Sequence, residues 1–162
     1  MVSGYGDADR QAEDQASDLA LLRVYGVPDL VPAAFTGDAG KGPDVTLVGI
    51  ADPQTQSGGS AVSTVAAKLR GDTVEPSPQL GFSGGAALDA QGRFAGMIEL
   101  KTPVVAAVGA ANGQPQATVV PASAVRAFLD GQKVAAGAPT TVGHGGPEAA
   151  MASVVRVICV RK

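Results

Sequence analysis

The sequence predicts an all-β protein, an antiparallel barrel or sandwich, with one helix near the C-terminal end. Six or seven short β-prone runs follow one another with turns at short spacing. The chain has 22 glycines and 11 prolines, and only 17% of its residues are charged. This composition favours a loop-rich β protein over a helical bundle.

The β-prone runs are short and apolar, and glycine, proline or polar loops bound them. Residues 1–17 are polar and rich in glycine, aspartate and glutamine, which is typical of a loop or a ragged strand. In chain order the predicted strands are 17–25, 45–50, 62–69, an apolar strand ending at Leu100, 104–108, 117–120 and 153–162.

Residues 121–131 predict the one helix. Apolar side chains recur at Val125 and at Phe128 and Leu129, and Gly131 ends the pattern. Residues 132–152 are rich in glycine, proline and alanine, which predicts a linker. The sequence therefore predicts one domain over 1–131, a linker over 132–152 and a terminal β-strand over 153–162.

Charge and hydropathy argue against several classes of partner. The formal net charge is only −3 and no cluster of lysine and arginine is present, so no nucleic-acid partner is expected. No apolar run approaches the roughly 20 residues that span a bilayer. Residues 1–9 lack the basic start and apolar core of a signal peptide, so a signal would lie upstream of Met1. Nothing in the sequence indicates a metal or a cofactor.

The chain has one cysteine, Cys159, in its terminal apolar run. A single cysteine excludes an intrachain disulfide and a multi-cysteine metal site. Free cysteines are usually buried, so a buried thiol is expected. The alternative is a disulfide with a partner outside this chain.

The most informative stretch runs from Leu80 to Leu100. It begins with Ser83 flanked by three glycines, continues through the turn Asp89-Ala90-Gln91-Gly92, and closes with an apolar strand. Glycines permit a sharp backbone bend. Such a bend can expose a hydroxyl and turn successive N–H groups toward one point, as acyl transfer requires.

Two motifs in this order resemble those of trypsin-like (chymotrypsin-fold) serine peptidases, especially the bacterial HtrA/Deg-like branch. Residues 17–24 read Ser-Asp-Leu-Ala-Leu-Leu-Arg-Val, and residues 81–85 read Gly-Phe-Ser-Gly-Gly. Residues 91–98 resemble the strand that walls the family's specificity pocket, and 119–121 resemble the end of its domain. The resemblance covers about residues 10–131. It implies a trypsin-like antiparallel β-barrel, the second of the family's two barrels, with part of the first.

The resemblance also implies roles for particular residues. Ser83 would be the nucleophile, and Asp18 would orient the catalytic histidine. The backbone N–H groups of Gly81 and Ser83 would form the oxyanion hole. Ser77 would lie near the base of the specificity pocket, which suits small or apolar side chains. Three residues would pair with the substrate backbone: Glu99, Leu100 and Lys101.

The histidine departs from the family pattern. In that family the histidine precedes the aspartate, but none of the 17 residues before Asp18 is histidine. The sole histidine, His144, follows the serine and is expected to be a solvated linker residue. Ala86 replaces the family's usual proline, which need not affect the chemistry.

These observations predict a serine endopeptidase whose N-terminal barrel segment, with the base, lies outside this chain. The chain alone is then expected to be inactive and to self-associate through uncovered apolar surface and strand edges. The expected partner is a polypeptide substrate or peptide ligand, and the expected location is the periplasm or the extracellular space. The alternatives are a pseudo-peptidase that binds peptides, and a generic β domain in which the serine motif is only a turn.

Overall fold

A computed structural model describes residues 1–26, 42–52, 56, 61–101, 115–135 and 146–159. The predicted strand over 104–108 lies outside the described residues. The described chain forms eight strands and two helices. The strands are β1 (Ala8–Asp14), β2 (Leu19–Val24), β3 (Asp44–Ile50), β4 (Val62–Arg70), β5 (Thr73–Glu75), β6 (Ala86–Asp89), β7 (Phe94–Lys101) and β8 (Gln116–Pro121), and the helices are α1 (Ala122–Gly131) and α2 (Pro147–Ser153).

Six strands close into an antiparallel barrel in the order β3-β4-β5-β8-β7-β6. This confirms the predicted all-β fold with a helix near the C-terminal end. The predicted strands at 45–50 and 62–69 pair along their whole length, from Ile50 opposite Val62 to Asp44 opposite Lys68. Strand β5 falls in a stretch that the sequence alone indicates to be a loop. The barrel core consists of Val45, Leu47, Ala51, Ala67, Val74, Phe82, Ala87, Ile98, Ala117 and Val119.

Strands β1 and β2 form a separate two-stranded sheet. Leu19, at the start of β2, is buried in a second cluster with Phe94 of β7 and Val125 of α1. The hairpin is thereby held against the barrel and its helix by an apolar contact. Helix α1 ends at Gly131, as the sequence predicts, and Phe128 and Leu129 pack on the same cluster.

The C-terminal region differs from the sequence prediction. Within the predicted linker, residues from Pro147 form α2, which ends at Ser153. In the described part of the predicted strand over 153–162, which ends at Cys159, one β-bridge joins Val157 to Val2. A helix is favoured here by the proline in its first turn and by the alanines, glutamate and methionine that follow. This pattern was missed in the sequence because the preceding residues are rich in glycine. Ala150 of α2 is buried against Val48 and Leu88 of the barrel.

The two chain termini are joined by backbone hydrogen bonds. Ser3 donates to the Arg156 carbonyl over 2.9 Å, and Ile158 donates to the Met1 carbonyl over 2.9 Å. The segment after α2 therefore pairs with the N-terminal residues and does not continue as a barrel strand. The prediction of a buried Cys159 is wrong, because the thiol lies in this surface segment and is exposed.

Candidate functional site

Phe82 anchors the serine turn in the barrel. Its side chain is 1% exposed and belongs to the core cluster, whereas its neighbour Ser83 is exposed. The ring lies directly over Gly49 of β3, where a Cβ would come within 2.6 Å of Phe82 Cδ1. The buried Phe82 thus anchors the turn, and the next residue, Ser83, lies at the surface.

Glycine is required at the entrance to this turn. Gly81 has φ +98°, and a Cβ there would lie 2.5 Å from the Asp52 backbone nitrogen. The turn is also tied to its surroundings, because Asp52 N–H donates to the Leu80 carbonyl over 2.8 Å. On its other side Gly84 N–H donates to Ile98 O over 2.8 Å, and Ile98 N–H donates to Gly85 O over 2.9 Å. The backbone is thus fixed on both sides of Ser83.

The serine turn carries two backbone donors that are not used in the described part of the fold. Within the described residues, the N–H groups of Gly81 and Ser83 have no hydrogen-bond acceptor. Ser83 Oγ itself accepts a long hydrogen bond of 3.5 Å from Leu100 N–H of β7. Fixed N–H groups without an acceptor, next to an exposed hydroxyl, are the donor type that stabilises an oxyanion in acyl transfer.

The described residues supply no base for the hydroxyl. Asp18 is exposed at φ +49°, at the end of the turn that precedes β2. No hydrogen bond in the described part of the chain joins Asp18 to Ser83. His144 lies outside the described residues. The orienting role assigned to Asp18 stays a prediction.

Ser77 lines a cleft of about 690 Å³ together with residues just after β3, the start of β4 and residues 78–80, and Ser83 is not among its lining residues. Its hydroxyl donates to the Pro115 carbonyl over 2.6 Å, so it is held by the chain itself. Asp52 and Gln56 line the same cleft, and sequence reasoning missed both. Both follow β3 in a loop, and no spacing in the sequence connects that loop with Ser77.

Strand β7 passes Ser83 with one open edge, in that no strand among the described residues pairs with it there beyond Met97. The three residues Glu99, Leu100 and Lys101 pair with β8 on one side. On the other side β6 pairs only as far as Met97, and the Ser83 turn continues the contact through Ile98. Glu99 accepts from the Thr118 hydroxyl over 3.2 Å and lies 3.3 Å from Lys101 Nζ. The contact of this segment with the serine hydroxyl is made by a backbone group, the Leu100 N–H.

A second cleft, of about 570 Å³, borders Ser83 on the side of the C-terminal segment. One wall comes from the serine turn, β6, β7 and α1, and the other comes from residues 146–157. The sequence could not indicate this cleft, because its walls come from segments scattered along the chain between Ile50 and Val157. In the described residues no group of three histidine, cysteine, aspartate or glutamate side chains is placed to hold a metal ion, and no helix is long and apolar enough to cross a membrane.

Comparisons with known proteins bear on the fold. No family model matches the chain, and no curated protein matches it. The crystal structure of Rv3671c from M. tuberculosis H37Rv, a serine-to-alanine mutant in an inactive form, matches with a TM-score of 0.50. The match has 20% sequence identity and covers 85% of this chain and 68% of that chain. At this identity the likeness shows a shared fold alone. That fold is compatible with the trypsin-like barrel that the motifs imply.

Proposed function

We propose that this chain carries the nucleophile half of a trypsin-like serine endopeptidase of the HtrA/Deg-like branch. The observation that carries the proposal is the Ser83 turn, in which the hydroxyl is exposed and, within the described residues, the N–H groups of Gly81 and Ser83 have no acceptor. The Asp18 motif, in the family's order before the serine motif, supports the choice of family.

The proposed reaction is hydrolysis of a peptide bond through an acyl-enzyme. Ser83 Oγ bonds to the peptide carbonyl carbon while a base accepts the hydroxyl proton. The carbonyl oxygen becomes an oxyanion that accepts hydrogen bonds from the N–H groups of Gly81 and Ser83. The C–N bond then breaks, the amine nitrogen takes the proton, and water hydrolyses the ester.

The substrate in this proposal is an extended polypeptide added to the open edge of β7. The backbone groups of residues 99–101 would pair with the substrate as a further strand. This edge runs directly beside Ser83, because Leu100 N–H reaches the Ser83 hydroxyl. Peptide addition there would bring a carbonyl carbon close to the nucleophile.

The base is proposed to come from a segment outside this chain. A serine hydroxyl without a base is a weak nucleophile. The 162-residue chain is therefore expected to bind peptide and to react slowly or not at all.

A fluorophosphonate probe tests the proposal. The chain preceded by the histidine-bearing segment encoded upstream of Met1 should be labelled, and peptide mapping should place the label on Ser83. Ser83→Ala should abolish labelling, whereas Ser123→Ala, at an exposed serine on α1, should leave it unchanged. Gly81→Ala keeps its backbone N–H, but a Cβ at φ +98° would lie 2.5 Å from the Asp52 nitrogen, so the turn should shift and labelling should slow. If the longer protein, which includes the upstream histidine segment, folds and is never labelled, the proposal is wrong.

The open edge of β7 also favours a second function, a pseudo-peptidase that binds peptides without cleaving them. The edge offers backbone donors and acceptors that need no base. The two functions separate in one comparison. In a pseudo-peptidase, the Ser83→Ala variant binds extended peptides with the same affinity as the unchanged protein. The probe does not label a pseudo-peptidase even when the upstream segment is present.

A further inference from the structure

The cleft between the Ser83 turn and the C-terminal segment has apolar walls of two origins. The barrel and α1 contribute one wall, and α2 with the segment after it contributes the other. Its volume of about 570 Å³ falls in the range of small-molecule sites, about 300–1,000 Å³. The main apolar side chains are Leu88, Phe94, Met97, Val125, Leu129 and Val154.

Among the described residues that line this cleft, Arg156 is the one charged residue. Its side chain forms no ion pair within the described part of the chain, and the residue is partly exposed. Its backbone carbonyl accepts the hydrogen bond from Ser3 N–H, which fixes the position of this residue on the wall. An apolar cleft with a single arginine among its lining residues favours a ligand with an apolar body and one anionic end.

We propose that this cleft binds an acyl chain ending in a carboxylate, such as a medium-chain fatty acid. The chain would lie between the barrel and the C-terminal segment, and the carboxylate would pair with the Arg156 guanidinium, whose planar donor fork matches carboxylate geometry. The proposal does not depend on Ser83 acting as a nucleophile.

Both walls are needed for this site. The segment after α2 is held by the bridge between Val2 and Val157 and by Ala150, which is buried on the barrel. The ligand therefore contacts a wall that the chain termini hold in place, and its binding should stabilise that wall.

Titration of the 162-residue protein with hexanoate, octanoate and decanoate tests the proposal by calorimetry. Affinity should rise about fourfold for each added methylene, the fold-change that corresponds to about 0.8 kcal/mol. Decanol should bind about five- to tenfold more weakly than decanoate, as expected for a partly exposed charge-assisted pair. Equal affinity for the acid and the alcohol, or no dependence on chain length, would overturn the proposal.

Two pairs of variants locate the site. Arg156→Gln should weaken decanoate by about five- to tenfold and leave decanol unchanged, whereas Arg70→Gln, on an exposed ion pair away from the cleft, should change neither. Ala149→Phe should fill the cleft and abolish binding. Ala152→Phe, an exposed position on the same helix that does not line the cleft, should not.

Methionine methyl resonances give a readout independent of affinity. Decanoate should shift the Met97 methyl signal, because Met97 lines the cleft, and should leave that of exposed Met1 unchanged. A Met97 signal that responds to protein concentration but not to decanoate would mean that a second copy of the chain fills the cleft. That result would overturn the proposal, and so would decanoate binding that survives Ala149→Phe.

Discussion

The ring of Phe82 lies against the bare backbone of Gly49, and this contact connects the barrel core with the serine turn. A Cβ at Gly49 would come within 2.6 Å of the ring. Because the turn is anchored through Phe82, any shift of that ring also moves Ser83. A residue of β3 thereby controls the position of the candidate nucleophile.

Replacing Gly49 should therefore disturb both stability and the site. Gly49→Ala should lower the free energy of unfolding by about 1–3 kcal/mol, the usual effect of overpacking a core. Urea denaturation would measure this. Gly131→Ala, where an added Cβ meets nothing within 4 Å, should leave stability unchanged or slightly raised. Equal stability of the two variants would mean that the ring moves aside freely.

Asp89 should be a structural residue of the turn between β6 and β7. Its side chain is 3% exposed and accepts hydrogen bonds from Gln91 N–H, Arg93 N–H and Arg93 Nε. Asp89→Ala leaves these donors without their acceptor and should lower the free energy of unfolding by about 2–4 kcal/mol.

The control for Asp89 is an exposed carboxylate in a simple ion pair. Asp44 pairs with Lys68, and both side chains are at least 60% exposed. Asp44→Ala should change stability by no more than about 0.5 kcal/mol, as for most exposed ion pairs. Thermal denaturation would measure both variants. If Asp89→Ala and Asp44→Ala lost the same free energy of unfolding, the buried contacts of Asp89 would not contribute to stability.

Val2 should hold the C-terminal segment in place. It is 2% exposed and forms the bridge to Val157. Val2→Ala should lower the free energy of unfolding by about 1–2.5 kcal/mol through lost burial and a small cavity. In hydrogen exchange the amides of Ser3 and Ile158 should lose protection. Val134→Ala, at a position 37% exposed, should affect neither quantity.

Cys159 should react with a thiol reagent in the folded protein. Its thiol is exposed, so one equivalent of Ellman's reagent should react without denaturant. Cys159→Ser should abolish the signal. Reaction that begins only after unfolding would instead support the buried thiol that the sequence indicates.

Local sequence patterns predicted much of the fold. Short apolar runs bounded by glycine and proline predicted most of the barrel strands, and the spacing of Val125, Phe128 and Leu129 predicted α1. The glycines around Ser83 predicted a sharp turn, and Gly81 at φ +98° adopts one. These features depend on residues close together in the chain, so the sequence expresses them directly.

Features that depend on contacts between distant residues could not be predicted from the sequence. The sequence could not show that the chain termini pair, that Cys159 is thereby exposed, or that Asp52 lies near Ser77. It also assigned the C-terminal run to a strand, because β propensity does not reveal whether a partner strand is present.

The sequence by itself determined an all-β chain with a glycine-flanked serine, because local backbone preferences and short-range periodicity decide both. Only the tertiary structure decided what surrounds that serine. It placed Leu100 N–H beside the Ser83 hydroxyl, left Gly81 and Ser83 N–H without acceptors in the described residues, and set the C-terminal segment across the neighbouring cleft. The physical reason is that burial and hydrogen bonding between distant segments, rather than local propensity, fix which surfaces meet.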